Sequence, residues 1–128
     1  MVCYTYLFWI WKQSKGRFGK EKIAVLHSKL SIGERHDEWE RIKKGEAKIV
    51  IGARSAIFAP CSNLGIIIID EEHDNSYKSE SNPRYSAKEV AVQIAKKQNI
   101  PLILGSATPD IRTFYDAQNQ EITTLKLT

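Results

Sequence analysis

Cysteine is scarce in this chain of 128 residues, and its two copies, Cys3 and Cys61, lie far apart. They form no CxxC pair, so the sequence indicates neither a zinc site nor a disulfide framework. Isolated thiols are typical of the reducing cytoplasm, where we expect this protein. Long apolar runs are lacking too: the stretch from Tyr4 to Trp11 falls far short of the ~20 residues that a membrane-spanning helix needs. It also lacks the flanks of a signal peptide, so no membrane contact is expected.

A phosphate-binding loop is missing as well. Domains of the P-loop type hold nucleotide phosphates in a GxxxxGK[ST] run, and no such run occurs in the sequence. The glycine-containing basic stretch from Gly16 to Lys20 has the wrong spacing and follows no convincing strand. The sequence therefore offers no self-contained nucleotide site of this kind.

What the chain has is the composition of one ordinary globular domain. It is 42% hydrophobic and 27% charged, with a formal net charge of +4. That content is typical of a folded domain with a single core. The basic balance permits contact with nucleic acid without establishing it.

Strand and helix signals alternate along the chain. Helices are predicted to begin at Ser31 and Ser86, each with a glutamate three residues on as its capping-box partner, and at Pro109, the last helix reaching about Gln118. Short apolar runs predict strands at residues 23–26, 47–51, 64–69, 101–104 and 122–127. This alternation predicts the α/β class, a parallel sheet covered by helices on both faces.

The most informative segment is a run of four isoleucines, residues 66–69, that ends in three carboxylates and a histidine. Such an apolar run is typical of a central parallel strand, and ligands bind beyond the carboxyl ends of such strands. Because Mg²⁺ prefers carboxylate oxygen, we expect Asp70 to hold Mg²⁺ and Glu71 to orient and deprotonate an attacking water. The alternative is an acidic turn that only ends the sheet.

A second motif, Gly105 to Pro109 with the sequence GSATP, follows the strand predicted at residues 101–104. In a parallel sheet both strand tips lie on the same edge. The hydroxyl groups of Ser106 and Thr108 are therefore predicted to hydrogen-bond to the acidic cluster and to relay its state. The alternative is a simple turn in which Thr108 caps the last helix.

Two further segments carry groups that suit nucleic acid. After the strand at residues 47–51, Arg54 and Ser55 offer a guanidinium and a hydroxyl group that bind phosphate oxygens; a solvated connector is the alternative. The loop behind the acidic cluster interleaves aromatic and basic side chains, as single-stranded nucleic acid requires. These residues are Tyr77, Lys78, Arg84 and Tyr85. A polar loop with two tyrosines on the surface is the alternative.

The two strand-tip motifs resemble motifs II and III of superfamily-two helicases. Longer strings narrow the resemblance to the PriA family of bacterial primosomal replication-restart helicases (primosomal protein N′). These strings are AVLHS at 24–28, ER and W at 34–39, IVIG at 49–52, RSA at 54–56, FAP at 58–60, NLG at 63–65, and DEEHD, SYK and RY within 70–85. The resemblance runs from about Phe18 to about Leu127 and covers a central slice of the family protein.

The resemblance implies a RecA-like motor lobe that hydrolyses ATP with Mg²⁺ to move on DNA, incomplete here because the Walker A strand and loop are absent. Residues 1–17 would be an unmatched segment and residues 18–128 a partial ATP-binding lobe. The family's cysteine-rich region has no counterpart, so zinc is not expected. The implied roles are catalysis by Asp70, Glu71, Glu72 and His73, coupling by Gly105, Ser106 and Thr108, and DNA binding by Arg54, Ser55, Tyr77, Lys78, Arg84 and Tyr85.

The first functional interpretation is therefore a fragment of an ATP-dependent DNA helicase, 3′–5′ by resemblance, that acts in primosome assembly and replication restart. The chain alone is expected to be inactive. Its expected partners are forked or single-stranded DNA and, by resemblance, primosome and single-strand-binding proteins. One alternative is a non-catalytic DNA-binding or interaction module derived from that lobe. A remote one is a stand-alone Mg²⁺-dependent phosphohydrolase that uses Asp70 and Glu71.

Overall fold

The computed structural model describes the backbone of residues 2–5 and, beyond it, residues 17–126. Five strands and three α-helices follow one another along these residues. The strands are β1 (Val2–Thr5), β2 (Ile23–Leu26), β3 (Ile49–Gly52), β4 (Ile66–Ile69) and β5 (Leu102–Leu104), and the helices are α1 (Ile32–Lys43), α2 (Ala87–Gln98) and α3 (Ile111–Gln118). Three short 3₁₀ helices cover Lys20–Lys22, Arg54–Phe58 and Asn75–Tyr77.

The five strands form one sheet in the order β2-β3-β1-β4-β5, and every pairing is parallel. The predicted α/β class with a parallel sheet is thus confirmed. Strand β1 lies at the centre of the sheet, between β3 and β4. The sequence predicts that residues 1–17 lie outside the lobe, yet residues 2–5 contribute its central strand. Residues 6–16 lie outside the described part of the chain.

The core lies on both faces of this sheet. Because side chains alternate along a strand, the register sets Ala24, Val50 and Ile67 on one face. Helix α1 packs there through Ile42, and α2 through Ala91. A separate apolar cluster occupies the opposite face, with exposed fractions of 4%, 8% and 2% for Ile23, Ile49 and Ile51. Burial on both faces explains why these strands are apolar throughout.

The three predicted helix starts agree with the structure to different degrees. Ser31 forms the complete capping box of α1, and Gly45, at a φ of +75°, follows its C-terminus. Ser86 stands at the N-cap of α2, where its backbone pairs with Lys78 in an isolated antiparallel bridge and its side chain makes no capping bond. The prediction that α3 begins at Pro109 is wrong: Asp110 is its N-cap.

Apart from the last one, the predicted strands are confirmed, β2 with its predicted bounds and the others with shifted ends. Strand β3 begins at Ile49 rather than residue 47, and β4 begins at Ile66 rather than residue 64. The strand predicted at residues 122–127 is wrong over its described part, since residues 122–126 are exposed and pair with no other strand. No helix within the described residues has both the length and the apolar character needed to cross a membrane.

Candidate functional site

The carboxyl ends of the parallel strands bring the predicted motifs to one edge of the sheet. Strand β4 runs into Asp70 and β5 into Gly105, and the register pairs Ile69 with Leu104 at the last position of each strand. The Gly105 N–H donates to the Ile69 carbonyl at 2.8 Å. The acidic motif and the GSATP loop therefore leave the sheet side by side.

Gly105 lies close against Asp70. A Cβ atom at residue 105 would stand 3.1 Å from Asp70 Oδ1, closer than ordinary van der Waals contact. The same oxygen accepts the Glu71 N–H at 3.0 Å. The Asp70 carbonyl accepts the Tyr77 hydroxyl at 2.5 Å, which ties the strand tip to the loop behind it.

Glu71 and His73 face the solvent beside the GSATP loop. Glu71 adopts a left-handed backbone with φ of 49°, and its side chain is 46% exposed. Its Oε2 lies 3.6 Å from His73 Nδ1. His73 Nδ1 shares a 2.7 Å hydrogen bond with Ser106 Oγ, which also accepts the Thr108 N–H at 3.1 Å. The two motifs, 33 residues apart in sequence at this contact, are thus joined directly.

Glu72 turns the other way and is buried, with its side chain 1% exposed. Its Oε1 accepts the Asp110 N–H at 2.7 Å. Its Oε2 accepts from Lys88 Nζ at 2.5 Å and from the Thr113 hydroxyl at 3.1 Å. The sequence predicts Glu72 as a catalytic residue. Its carboxylate, however, faces helices α2 and α3 instead of the open edge of the sheet.

Lys88 and Thr113 are partners that sequence reasoning missed. A signal was nevertheless present: Lys88 occupies the first turn of α2, where the helix dipole disfavours a cation. Such a lysine needs a compensating anion, and Glu72 supplies it. For Thr113 we find no comparable signal in the sequence.

Mg²⁺ is the ion that the predicted chemistry requires, and the strand tip fits one mode of binding it. Within the described residues, no three Asp, Glu, His or Cys side chains are grouped as a metal centre. Asp70 is a single, partly exposed carboxylate at a strand end. Mg²⁺ is commonly held by one or two carboxylates together with nucleotide phosphates and water. Asp70 therefore fits an ion that arrives with a nucleotide, and it does not by itself form an independent metal site.

Arg54 contacts the loop behind the acidic motif. Its guanidinium donates to the Lys78 carbonyl at 2.6 Å and stands 5.7 Å from the centre of the Tyr85 ring. Phe58 packs on the same ring edge-to-face, with centroids 4.9 Å apart. Arg54 and Lys78 also line an open, shallow groove with Asn75, Glu80 and Ser81.

The remaining predicted DNA contacts differ in exposure. Ser55, Lys78 and Arg84 are exposed, and Tyr85 is half-buried. Tyr77 is only 2% exposed and packs in the core cluster of Ile67 and Ala87. Its ring has no free face on which a base could stack, so the geometry supports a positioning role through Asp70 in place of the predicted stacking.

Close approach also explains Gly52, from which the Arg54 loop departs. A Cβ atom at this position would lie 2.6 Å from both the Ala56 side chain and the Leu26 carbonyl. Only glycine lets the 3₁₀ turn of residues 54–58 fold back over the sheet. That fold-back carries Arg54 toward Lys78.

The chain is similar to known proteins over most of its length. A family model described as DEAD/DEAH box helicase matches residues 10–117. The replication restart protein PriA of Bacillus subtilis is 58% identical over 104 residues, which cover 81% of this chain and 13% of that protein. The same protein of Treponema pallidum is 49% identical over 112 residues, 88% of this chain and 17% of that protein. The chain thus spans less than a fifth of the length of these relatives.

A solved structure supports the same fold. The C-terminal domain of a Saccharomyces cerevisiae Dbp5 variant, bound to Gle1 and IP6, superposes with a TM-score of 0.56 at 13% identity. The superposition covers 94% of this chain and 70% of that one. At this identity the likeness concerns the RecA-like fold alone. With the matched family model and the PriA relatives, these observations show that the chain belongs to the DEAD/DEAH box helicase family and carries a segment of its helicase domain.

Proposed function

We propose that this chain carries the metal and water side of the ATP site of a PriA-like DNA helicase, together with part of its DNA track. The observation that supports this most strongly is the His73–Ser106 hydrogen bond of 2.7 Å beside the exposed Glu71. It joins the acidic motif to the GSATP loop at the edge of a parallel sheet, where ligands of such sheets bind.

The residues of the strand tip divide the chemistry. Asp70 would hold the Mg²⁺ of a bound Mg²⁺–ATP, an ion that neutralises charge on the phosphates. Glu71, exposed and aimed outward, would orient the attacking water and accept its proton. His73 and Ser106 would transmit the state of this site to the GSATP loop, with Thr108 held by the same hydroxyl.

The sequence lacks a GxxxxGK[ST] run, so nothing in it cradles the β- and γ-phosphates in the usual way. We therefore expect no ATP turnover by the chain alone. A protein context that supplies the phosphate loop would complete the site. In keeping with the family resemblance, residues 18–128 would carry the motifs of the partial lobe, and residues 1–17 would carry none of them, although residues 2–5 supply strand β1.

The DNA track would consist of Arg54, Ser55, Lys78, Arg84 and Tyr85. In this role the cations contact backbone phosphates, and the Tyr85 ring, already held by Arg54 and Phe58, stacks on a base.

The cellular setting of this helicase follows from the family resemblance. It comprises forked or single-stranded DNA, primosome and single-strand-binding proteins, the cytoplasm, 3′–5′ movement and a part in primosome assembly and replication restart.

A chimera tests this proposal. Residues 18–126 would replace the aligned segment of Bacillus subtilis PriA, and DNA-stimulated ATP hydrolysis would be compared with that of the parent protein. We expect turnover within about tenfold of the parent, since the strand-tip groups are supplied by this chain. A folded chimera that binds DNA yet hydrolyses no ATP would contradict the proposal.

A second candidate, a non-catalytic DNA-binding module, is favoured by the exposed Lys78 and Arg84 around Tyr85. It predicts that the 128-residue chain binds single-stranded DNA without ATP. Binding should weaken as salt rises, because contacts to phosphates release counterions. Fluorescence anisotropy should show at least about a fivefold loss in Tyr85→Ala, since stacking contributes ~1–3 kcal/mol per base. Tyr115→Ala, on the exposed face of α3, is the matched control.

A further inference from the structure

A single residue, Glu72, holds both ends of the GSATP loop. At the start of the loop the Glu72 N–H donates to the Gly105 carbonyl at 3.0 Å. At its end the Asp110 N–H donates to Glu72 Oε1 at 2.7 Å. The segment that carries Ser106 is thus spanned by the backbone and the side chain of one residue, the neighbour of His73.

The Glu72 carboxylate is in turn fixed by two residues outside both motifs. Lys88 Nζ lies 2.5 Å from Oε2, and the Thr113 hydroxyl donates to the same oxygen at 3.1 Å. Lys88 and Thr113 also contact each other. Exposed fractions of 1% for the Glu72 side chain and 22% for that of Lys88 show that the pair is largely shielded from water.

We propose that Lys88 and Thr113 are positioning residues, which hold the Glu72 carboxylate so that the loop keeps Ser106 within hydrogen-bond distance of His73. The two residues touch no reacting group of the proposed site. They act through Glu72 because a buried carboxylate without its cation must find water or a proton. Either change weakens its bond to the Asp110 N–H and releases the end of the loop. The significance of this device for ATP hydrolysis rests on the proposed function.

The test reads the His73 ring in the nucleotide-free 128-residue chain. The chain has three histidines, and ¹⁵N NMR of the ring nitrogens distinguishes a hydrogen-bonded Nδ1 from a solvated one. His36, exposed on α1, serves as the solvated reference. His27, whose Nδ1 accepts the Lys29 N–H, serves as an internal control away from the network.

Four variants separate positioning from simple loss of stability. Lys88→Met removes the cation, and Thr113→Val removes the hydroxyl while keeping a branched side chain. Lys88→Arg and Thr113→Ser restore the charge and the hydroxyl. Ile42→Val, in the apolar cluster under α1, supplies a core variant without contact to Glu72.

We expect the Nδ1 resonance of His73 to move to the solvated position of His36 in Lys88→Met and Thr113→Val, with His27 unchanged. Lys88→Arg, Thr113→Ser and Ile42→Val should retain the hydrogen-bonded signal. An unshifted His73 in either folded removal variant would overturn the proposal, as would a shift of similar size in Ile42→Val. Should Lys88→Met fail to fold, Thr113→Val decides, and failure of both to fold would also overturn it by making the network a general support. Because no nucleotide is involved, the outcome is independent of whether the chimera hydrolyses ATP.

Discussion

Three adjacent carboxylates stand at the tip of β4, and each meets different surroundings. Asp70 lies against Gly105, Glu71 is exposed, and Glu72 is buried in an ion pair. The sequence predicts that acids stand at a strand tip, since an apolar run precedes them. It does not predict their directions, because these follow from the left-handed turn at Glu71 and from distant partners such as Lys88.

At this scale, Glu72→Ala should be strongly destabilising. Its removal leaves Lys88 largely buried without its anion and the Asp110 N–H without its acceptor. Breaking a buried pair in this way costs about 3–5 kcal/mol, measurable as a lower free energy of unfolding in urea. Glu80→Ala, at an exposed position, should stay within about 0.5 kcal/mol of the parent. Equal effects of the two substitutions would refute the importance of the ion pair.

Two helices share the same start signal and differ in how they use it. Ser31 and Ser86 each precede a glutamate at the third helical position. Ser31 forms the reciprocal capping box, whereas Ser86 makes no side-chain capping bond. Local sequence predicts both helices but not this difference, nor the antiparallel bridge between Ser86 and Lys78. Pairings of that kind depend on the path of a whole loop.

The two serines form a matched pair for measurement. Ser31→Ala should lower the free energy of unfolding by about 1 kcal/mol, since the Glu34 N–H loses its side-chain acceptor. Ser86→Ala should change it by no more than about 0.5 kcal/mol, because no capping bond is lost. Urea unfolding monitored by circular dichroism measures both, and a larger loss in Ser86→Ala would count against the described caps.

The capping box also makes stability depend on pH. The Ser31 backbone N–H, and then its side chain, lower the pKa of Glu34 in the folded chain. A lowered folded-state pKa means that this stabilisation is present at neutral pH and disappears as the pH falls through that pKa. The difference in unfolding free energy between the parent and Glu34→Gln should therefore shrink as the pH falls below the ordinary pKa range of glutamate. A difference that grows on acidification would contradict this sign.

For the whole molecule, parallel pairing is what gathers the candidate site. The apolar runs predict the sheet, and the shared direction of the strands predicts that Asp70 and Ser106 emerge at one edge. Strand order is less accessible to sequence reasoning, and the central place of β1 was not predicted. The segment of residues 2–5 is short and lies outside the motifs of the family resemblance. Its pairing with strands β3 and β4 could therefore not be inferred from the sequence.

In the proposed site, Glu71 acts on the attacking water, and other parts of a helicase complete the ATP site. The most direct test is single-turnover ATP hydrolysis by the PriA chimera at saturating ATP and DNA. Glu71→Gln should reduce the rate of the chemical step by about 10²–10⁴-fold, the usual contribution of a general base, with ATP binding retained. Glu46→Gln, also exposed but ahead of β3 and away from the strand tips, should leave the rate unchanged. A Glu71→Gln chimera that binds ATP and hydrolyses it at the parental rate would contradict the account.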